Sequence, residues 1–493
     1  MRARPSAYER LEAAFDRAAV LRSVHGLLGW DSYVALPVGA TMARGRQNAA
    51  LLAVIDEALA APELPDLIEE AEASEADPWR RANLREMRRD LTLRAATPVA
   101  LSARLAEAAS GCEMAWREAK AAADFSKVRT SFEATVAAAR ALARARGQAL
   151  GLTAFDALIE PFDPGVRSQT LLGRMESAAA ELAPLRAVGR ANGASADFQT
   201  RVLQPDALLS AARAVATLLH YDDAAGRLDA CAQPFFMDDN PEDVRIGLRL
   251  TPGPVIPMVL GLIHEIGHAR HERGGPVAFR RQPVGRPRSA AIQESQALIL
   301  QDIVGRSEVF WHRAGPAICS ALDLPPSFLP PDAVADSLTR IGPSATRTMG
   351  DEISYALHII LRCRIERALI EGDIEVVDLP AAWNAEAERL FGAPPVDDAM
   401  GCLQDIHWYR ALFGYFPSYA MGQWAAASFV QAAEHKHPDF WSAPSGLDEL
   451  AAWLRQNVHA HGSSLPVEAL MMEATGGPLG PGAFLARVAR VYG

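Results

Sequence analysis

Glu265 stands beside one of two closely spaced histidines in His264-Glu265-Ile266-Gly267-His268. Histidines four residues apart share one helix face, so both imidazoles can ligate a single metal ion. The glutamate after the first histidine is rotated off that line, toward water activated by the ion, where it serves as general base. The chemistry this spacing suits is metal-assisted hydrolysis, as in a metalloprotease.

Such a motif needs a helix, and the flanking residues predict one. Pro252, Pro254 and Pro257 mark an irregular approach, and Met258-Val259-Leu260-Gly261-Leu262-Ile263 is an apolar lead-in. Gly274-Gly275-Pro276 then stops the helix after roughly four turns. A catalytic zinc takes three protein ligands and keeps one position open, so a third ligand must come from elsewhere. Glu294, in Gln293-Glu294-Ser295-Gln296, is the leading candidate because it opens the apolar segment Ala297-Leu298-Ile299-Leu300. A carboxylate entering such a segment needs a partner; the alternative is a first-turn glutamate facing the helix dipole. His271 shares the histidine face but lies about 10 Å along the axis from His264, too far to join both in one tetrahedral shell. It is expected at the rim or behind the ligands.

The whole chain bounds the function classes. Its 493 residues are 49% hydrophobic and 22% charged with no dividing linker, as in a soluble enzyme built as one domain, 1–493. A net charge of −11 argues against nucleic-acid binding, and Arg80-Arg81 and Arg88-Arg89 read as solvated helix faces. The five cysteines, Cys112, Cys231, Cys319, Cys363 and Cys402, are scattered and odd in number, which fits reduced thiols in a cytoplasm. The stretch Met1 to Ala18 is amphipathic, unlike a signal peptide, and no apolar run reaches the roughly 18 residues of a membrane span.

Helical periodicity dominates, over Ser6 to Val24, Gly39 to Ala60, Asp77 to Ala96, Pro98 to Ala123 and Ser126 to Leu150. It continues over Ser168 to Arg190, Asp197 to Leu219 and Asp351 to Glu371. The clearest strand, Val244 to Leu250, precedes the metal helix and is expected to be an edge that pairs with an extended peptide. Phe279 to Arg288, with Arg280, Arg281, Arg286 and Arg288, reads as a loop near the cleft. Either it biases binding toward acidic peptides or it is simply solvated. The pairs His435/His437 and His459/His461 lack an apolar setting and are expected at the surface.

Several stretches together resemble the M32 metallocarboxypeptidases, the Taq carboxypeptidase family. They are Leu27-Leu28-Gly29-Trp30-Asp31 with Pro37 and Arg44, Ala154 to Leu158 with Asp163-Pro164-Gly165, and Gly401-Cys402-Leu403-Gln404-Asp405-Ile406-His407-Trp408 followed by Gly414 to Tyr419. The third fits the family's G-x-x-Q-D-x-H-W motif in full. The resemblance implies a mainly α fold like that of neurolysin and angiotensin-converting enzyme, with two helical halves flanking a deep groove and a small β-sheet beside the H-E-x-x-H helix. It implies a zinc (or cobalt) carboxypeptidase of broad specificity, usually a homodimer, acting on peptides with a free C-terminus. By position, His264, His268 and Glu294 would hold the metal and Glu265 would polarise the water. Arg347, in Arg347-Thr348-Met349-Gly350-Asp351, would hold the terminal carboxylate, which a guanidinium fork matches bidentately. Arg245 is its rival or a second contact, and Gln404, Asp405 and Gln233 are counted with the substrate-binding residues. His407, Tyr415 and Tyr419 are the candidates to stabilise the oxyanion.

The chain departs from the family pattern in the groove. Gln233-Pro234-Phe235 replaces H-P-F, and Gly247 replaces the threonine of D-x-R-x-T. Gln293 replaces the histidine of H-E-S-Q, Gly350 the alanine of R-x-x-A-D, and His271 the tyrosine after the metal helix. Each histidine-to-glutamine change keeps a hydrogen-bond donor and removes titration. Three functions follow: a zinc carboxypeptidase, a peptide-binding paralogue with weakened catalysis, and an oligopeptidase that cuts internally.

Overall fold

The computed structural model describes residues 4–188, 196–221, 223–231, 235–237, 240–342, 346–443 and 445–492. The N-terminal quarter is α1 (Ala7–Val34), α2 (Thr41–Leu59), α3 (Leu64–Ser74) and α4 (Pro78–Ala95). Next come α5 (Val99–Ala122), α6 (Ser126–Leu150), α7 (Ala154–Ile159), α8 (Ser168–Val188), α9 (Asp197–Thr200) and α10 (Pro205–Leu218). Strands β1 (Gly226–Cys231), β2 (Phe235–Phe236) and β3 (Val244–Arg249) lead into α11 (Val255–Gly274) and α12 (Ala290–Leu298). The chain continues through α13 (Glu308–Ala321), α14 (Pro331–Leu338), α15 (Glu352–Glu371) and α16 (Leu379–Phe391). It ends with α17 (Phe416–Lys436), α18 (Gly446–Asn457), α19 (Val467–Thr475) and α20 (Gly482–Tyr492). The architecture is mainly α with one small sheet, as expected. Among the described residues no helix is long and apolar enough to cross a membrane.

Several boundaries differ from expectation, each for a local reason. Helix α1 starts as predicted, where Ser6 and Glu9 form a reciprocal capping box, but runs ten residues past Val24. That extension carries Asp31 to Arg44 on α2, with Arg44 Nη2 to Asp31 Oδ2 at 2.6 Å, so two residues of the Trp-Asp stretch form a clasp between helices. The single helix expected over Asp197 to Leu219 is broken into α9 and α10, because Pro205 restarts it at a first-turn position where a missing N–H costs nothing. The same tolerance lets α11 begin at Val255 with Pro257 inside its first turn.

The sheet corrects a functional expectation. Its order is β1-β3-β2, so β3 is the middle strand, parallel to β1 and antiparallel to β2. Among the described residues it is paired on both sides, along its length by β1 and at Ile246 and Gly247 by β2, so it is not the free edge expected to receive a peptide. One face of β3 buries Val244, Ile246 and Leu248 in the core that also holds Val259, Leu262 and Ile266 of α11. The other face meets α1, where the Arg245 guanidinium lies 4.6 Å from the Trp30 ring centre.

Two large apolar cores fill the molecule, one around α10, α11, α13 and α18, the other around α6, α8, α15 and α16. Helix α17 serves both: Phe429 and Val430 belong to the first and Met421 and Trp424 to the second. Helix α12 is shared likewise, through Ile292 and Ala291. A smaller cluster joins α1, α3 and α4. The elements common to both cores are those that carry or touch Glu294.

Candidate metal centre and its surroundings

Backbone proximity brings Glu294 to the two histidines. A Cβ on Gly267 would lie 2.4 Å from Gln296 O and 2.6 Å from Ala297 Cα, so α12 crosses α11 at a contact open only to glycine. On its other side α12 meets α17 at Gly422, where a Cβ would sit 3.0 Å from Glu294 Cγ. The N-terminus of α12 is held as tightly: Ser289 Oγ accepts from Ile292 N at 3.2 Å and Asp163 Oδ1 from Ala291 N at 3.0 Å. Asp163 Oδ2 in turn accepts from Ser418 Oγ of α17 at 2.5 Å. The Asp163-Pro164-Gly165 stretch is thus a fastener for the glutamate helix, a role that sequence reasoning missed.

The resulting tripod has His264 Nε2 and His268 Nε2 3.2 Å apart, with Glu294 oxygens 4.0 Å from the first and 3.6 Å from the second. A tetrahedral ion with bonds of 2.0–2.1 Å has ligand–ligand edges of roughly 3.3–3.4 Å, so the three donors fit one face of such a shell. Two imidazoles and a carboxylate are also the donor set for a borderline divalent ion. Phe236 of β2 stacks on His268 at 4.7 Å and 10°, which fixes that ring and gives the short sheet its place in the site. The Nδ1 atoms of His264 and His268 are buried without a hydrogen bond; that of His268 faces the Gln293 backbone short of bonding geometry.

Burial shapes the protonation of this cluster. Desolvation raises the Glu265 carboxyl to about 8, and its oxygens accept no hydrogen bond among the described residues. Desolvation also raises Glu294, opposed by the charges of His264 and Arg347. His268 is held well below the ordinary imidazole value, again by burial first and then by His264. Each shift favours the uncharged form of its group, and a cation held between the donors would draw both carboxyls back toward their charged form.

Arg347 belongs to a second cluster. It lies in a 3₁₀ turn (Arg347–Met349) ahead of α15, whose N-cap Asp351 accepts from Ser354 N at 2.8 Å. Its Nε and Nη2 donate to Asp405 Oδ1 at 3.1 and 3.0 Å, and Nη1 lies 3.4 Å from Tyr355 Oη. Arg362, fully buried on α15, donates from Nε to Asp405 Oδ2 at 2.6 Å and from Nη2 to Gln404 Oε1 at 2.9 Å. Burial alone would raise Asp405, but the two guanidinium groups overturn that and hold it well below the usual carboxylate range. Two buried cations thus share one carboxylate. Arg362 was not among the residues singled out from sequence, because its helix reads there as ordinary core.

His407 and Tyr419 bridge the clusters. His407 Nε2 is 3.4 Å from Tyr419 Oη, and the Arg347 guanidinium lies 5.3 Å from the Tyr419 ring centre. Burial lowers the His407 imidazole to about 4, with Asp405 opposing, so it is neutral near pH 7. Tyr415 packs edge-on against Tyr419 at 5.2 Å, and its hydroxyl meets no hydrogen-bond partner among the described residues. The loop carrying these groups is pinned through its backbone: Trp116 Nε1 and Lys120 Nζ of α5 donate to the Leu403 and Gln404 carbonyls at 3.0 and 2.6 Å. Glu366 of α15 accepts from Trp408 Nε1 at 2.9 Å and from Gly414 N.

Other expected residues fall elsewhere. Arg245 is engaged bidentately by Asp243 at 2.9 and 2.8 Å beneath Trp30, away from the Arg347 cluster. Gln233 lies outside the described residues. His271 is no rim residue: it is 2% exposed, beside Gln293 and with its ring 4.9 Å from that of His459. His459, expected at the surface, is 4% exposed and bonded to Gln296 Oε1 at 2.8 Å, while His435 and His437 are exposed as expected. Two departures from the family pattern, His271 and Gln293, are therefore neighbours. At a third, Gly247, a Cβ would lie 2.4 Å from the Phe235 ring and 2.8 Å from Cys231 Sγ, so the strand has no room for threonine there.

Comparison with known proteins agrees over the full length. The family model for carboxypeptidase Taq (M32) metallopeptidases matches residues 10–492. The thermostable carboxypeptidase 1 of Thermus thermophilus is 31% identical, covering 99% of this chain and 98% of its own. Metallocarboxypeptidase 1 of Trypanosoma cruzi superposes with a TM-score of 0.90 at 29% identity over 99% of both chains. A carboxypeptidase of Pyrococcus furiosus superposes at 0.91 and 27% identity over 100% of both.

Proposed function

The chain belongs to the carboxypeptidase Taq (M32) metallopeptidase family, and from that premise we propose that it trims residues from peptide C-termini with a zinc ion held by His264, His268 and Glu294. The observation that carries this reading is a juxtaposition. Arg347 lies 5.3 Å from the Tyr419 ring centre, and the charges of Arg347 and Glu294 act on one another and on the Tyr419 phenol between them. A cation able to hold a terminal carboxylate thus stands beside a three-donor metal site.

Each residue then has a task. When bound, the ion polarises the scissile carbonyl and makes water a competent nucleophile near neutral pH. Arg347, with its fork pre-oriented by Asp405, binds the terminal carboxylate and sets the register. Glu265 takes the proton from the attacking water and delivers it to the leaving amine. Tyr415, whose hydroxyl is unengaged, donates to the developing oxyanion, worth about 3 kcal/mol for a well-aimed donor. His407 and Tyr419, already paired, position Arg347 and close the terminal pocket. Three of the departures, His271, Gln293 and Gly247, pack against one another or against their neighbours, which speaks for adjustment of the groove and against decay. By likeness to the family the working form is a homodimer, to be tested by sedimentation.

A defined peptide and its C-terminally amidated twin, incubated with the zinc-loaded protein and read by mass spectrometry, test this. Stepwise loss from the free acid alone is expected. Equal cleavage of both makes the protein an internal oligopeptidase, and no cleavage that Glu265→Gln alters makes it a peptide-binding paralogue.

A further inference from the structure

A cavity of about 570 Å³ opens beside the metal tripod, and its lining includes His268, Phe236, Gln293 and Tyr415. Arg347, Asp405 and His407 are not among its lining residues, so it is a space distinct from the terminal-carboxylate cluster, reached at His268. Six arginines line it, Arg22, Arg89, Arg280, Arg281, Arg286 and Arg288, against the three carboxylates Glu86, Asp90 and Glu272. The Phe279 to Arg288 segment therefore forms a cavity wall.

Some of this charge is neutralised within the protein. Arg288, 7% exposed, bonds to Glu86 at 2.8 Å, and Arg286 to Asp90 at 3.0 Å. Asp16 and Glu242 reach Arg281 and Arg280 at 2.5 and 3.6 Å. Arg89 differs: its Nη2 meets the Glu160 and Pro161 carbonyls at 3.0 and 3.3 Å, and no carboxylate is within hydrogen-bonding distance among the described residues. The Nε atoms of Arg89, Arg280 and Arg288 are buried without partners. Burial, with Arg288 close by, lowers the affinity of Arg89 for its proton. An anion entering from the metal side would relieve this excess.

We propose that this cavity receives acidic side chains of the substrate, on the N-terminal side of the scissile bond, and makes the protein a carboxypeptidase with a preference for acidic residues upstream of the one removed. This rests on the function proposed above: with the C-terminus at Arg347 and the scissile bond at the tripod, the preceding residues of an extended peptide run toward His268 and the arginine wall. At about 3.3 Å per residue, a chain leaving the tripod enters the cavity within its first few positions. Glutamate or aspartate there meets the guanidinium groups that line the cavity.

The test is a set of peptides of one C-terminal residue in which each of the four positions upstream of the scissile bond carries Glu or its isostere Gln. A Glu-over-Gln ratio in kcat/KM of roughly tenfold at one or more positions is expected at low salt, the size of a charge-assisted hydrogen bond, and it should shrink with added salt. Arg89→Gln and Arg280→Gln should each bring that ratio toward one; a variant that merely folds poorly lowers both rates and leaves the ratio intact. Equal rates for Glu and Gln in the unaltered protein overturn the proposal while leaving the carboxypeptidase reading standing. A ratio untouched by either variant assigns the preference elsewhere and overturns it as well. Inorganic phosphate that speeds or slows the Gln peptides, with no Glu preference, makes the cavity a free-anion site and also refutes it. Failure to hydrolyse any peptide sinks both readings together.

Discussion

The two sides of the candidate site are built by different means. On the metal side, helix packs on helix: α11, α12 and α17 meet at Gly267 and Gly422, and the donors project from regular backbone. On the terminal-carboxylate side, loops dominate, and Arg347, Asp405 and His407 are placed by hydrogen bonds from neighbouring helices to loop carbonyls and carboxylates. Close packing fixes geometry to a few tenths of an ångström and leaves little slack. A hydrogen-bonded loop is also ordered, but its register depends on a few polar groups that mutation can remove one at a time.

The largest expected effect strikes the chemistry that both sides serve. Glu265→Gln should lower kcat by about 10³-fold on every peptide, the middle of the range for a positioned general base, with zinc content unchanged. A loss below tenfold, measured with the metal quantified, would remove Glu265 from the role of base. Arg347→Ala breaks the loop side alone. It should cost about 10²-fold in kcat/KM on free-acid peptides and abolish discrimination against amidated ones, as expected for losing a bidentate charge-assisted contact. If the variant discriminates as before, the anchor is another residue.

Gly267→Ala breaks the helix side alone. With a Cβ 2.4 Å from a backbone oxygen of α12, the helices must part, at a cost of about 1–3 kcal/mol in stability and a weakened grip on the metal. Thermal unfolding and a zinc competition titration check this, and unchanged metal affinity would separate the glycine contact from the site. The smallest effect concerns Glu366, which burial raises to about 7 from an ordinary value of 4.5. A carboxyl raised on folding contributes stability that is fully present below pH 4.5 and is lost as pH climbs through 7. Relative to Glu366→Gln, the unaltered protein should therefore lose thermal stability between pH 4.5 and 7.5. A parallel pH course for the two would show that Glu366 is ionised throughout.

The same contrast explains what the sequence disclosed. His264, Glu265 and His268 follow from a four-residue helical period, and Glu294 from a carboxylate at the head of an apolar run. Local spacing suffices for these. Arg347, Asp405 and His407 carry no such spacing and were found through motif likeness. Arg362, and the fastening role of Asp163, escape a sequence reading because each acts through partners far along the chain. The strand β3 was taken as an edge because β2, two residues long, is too short to leave an alternating pattern. His459 is buried against expectation because Gln296, which bonds it, approaches only in three dimensions.

One asymmetry in the tripod bears on how an ion would come and go. The side chains of His268 and Glu294 are 8% and 4% exposed, while that of His264 is 22% exposed. A chelator arriving from solvent meets His264 first, and rotation of that one ring opens the shell without disturbing α12. Exchange of an ion held there would then be gated by a single side chain, with a half-life set by how often one imidazole swings out. Local melting is not required. An ion held there would be kinetically inert in its inner two bonds and labile at its third.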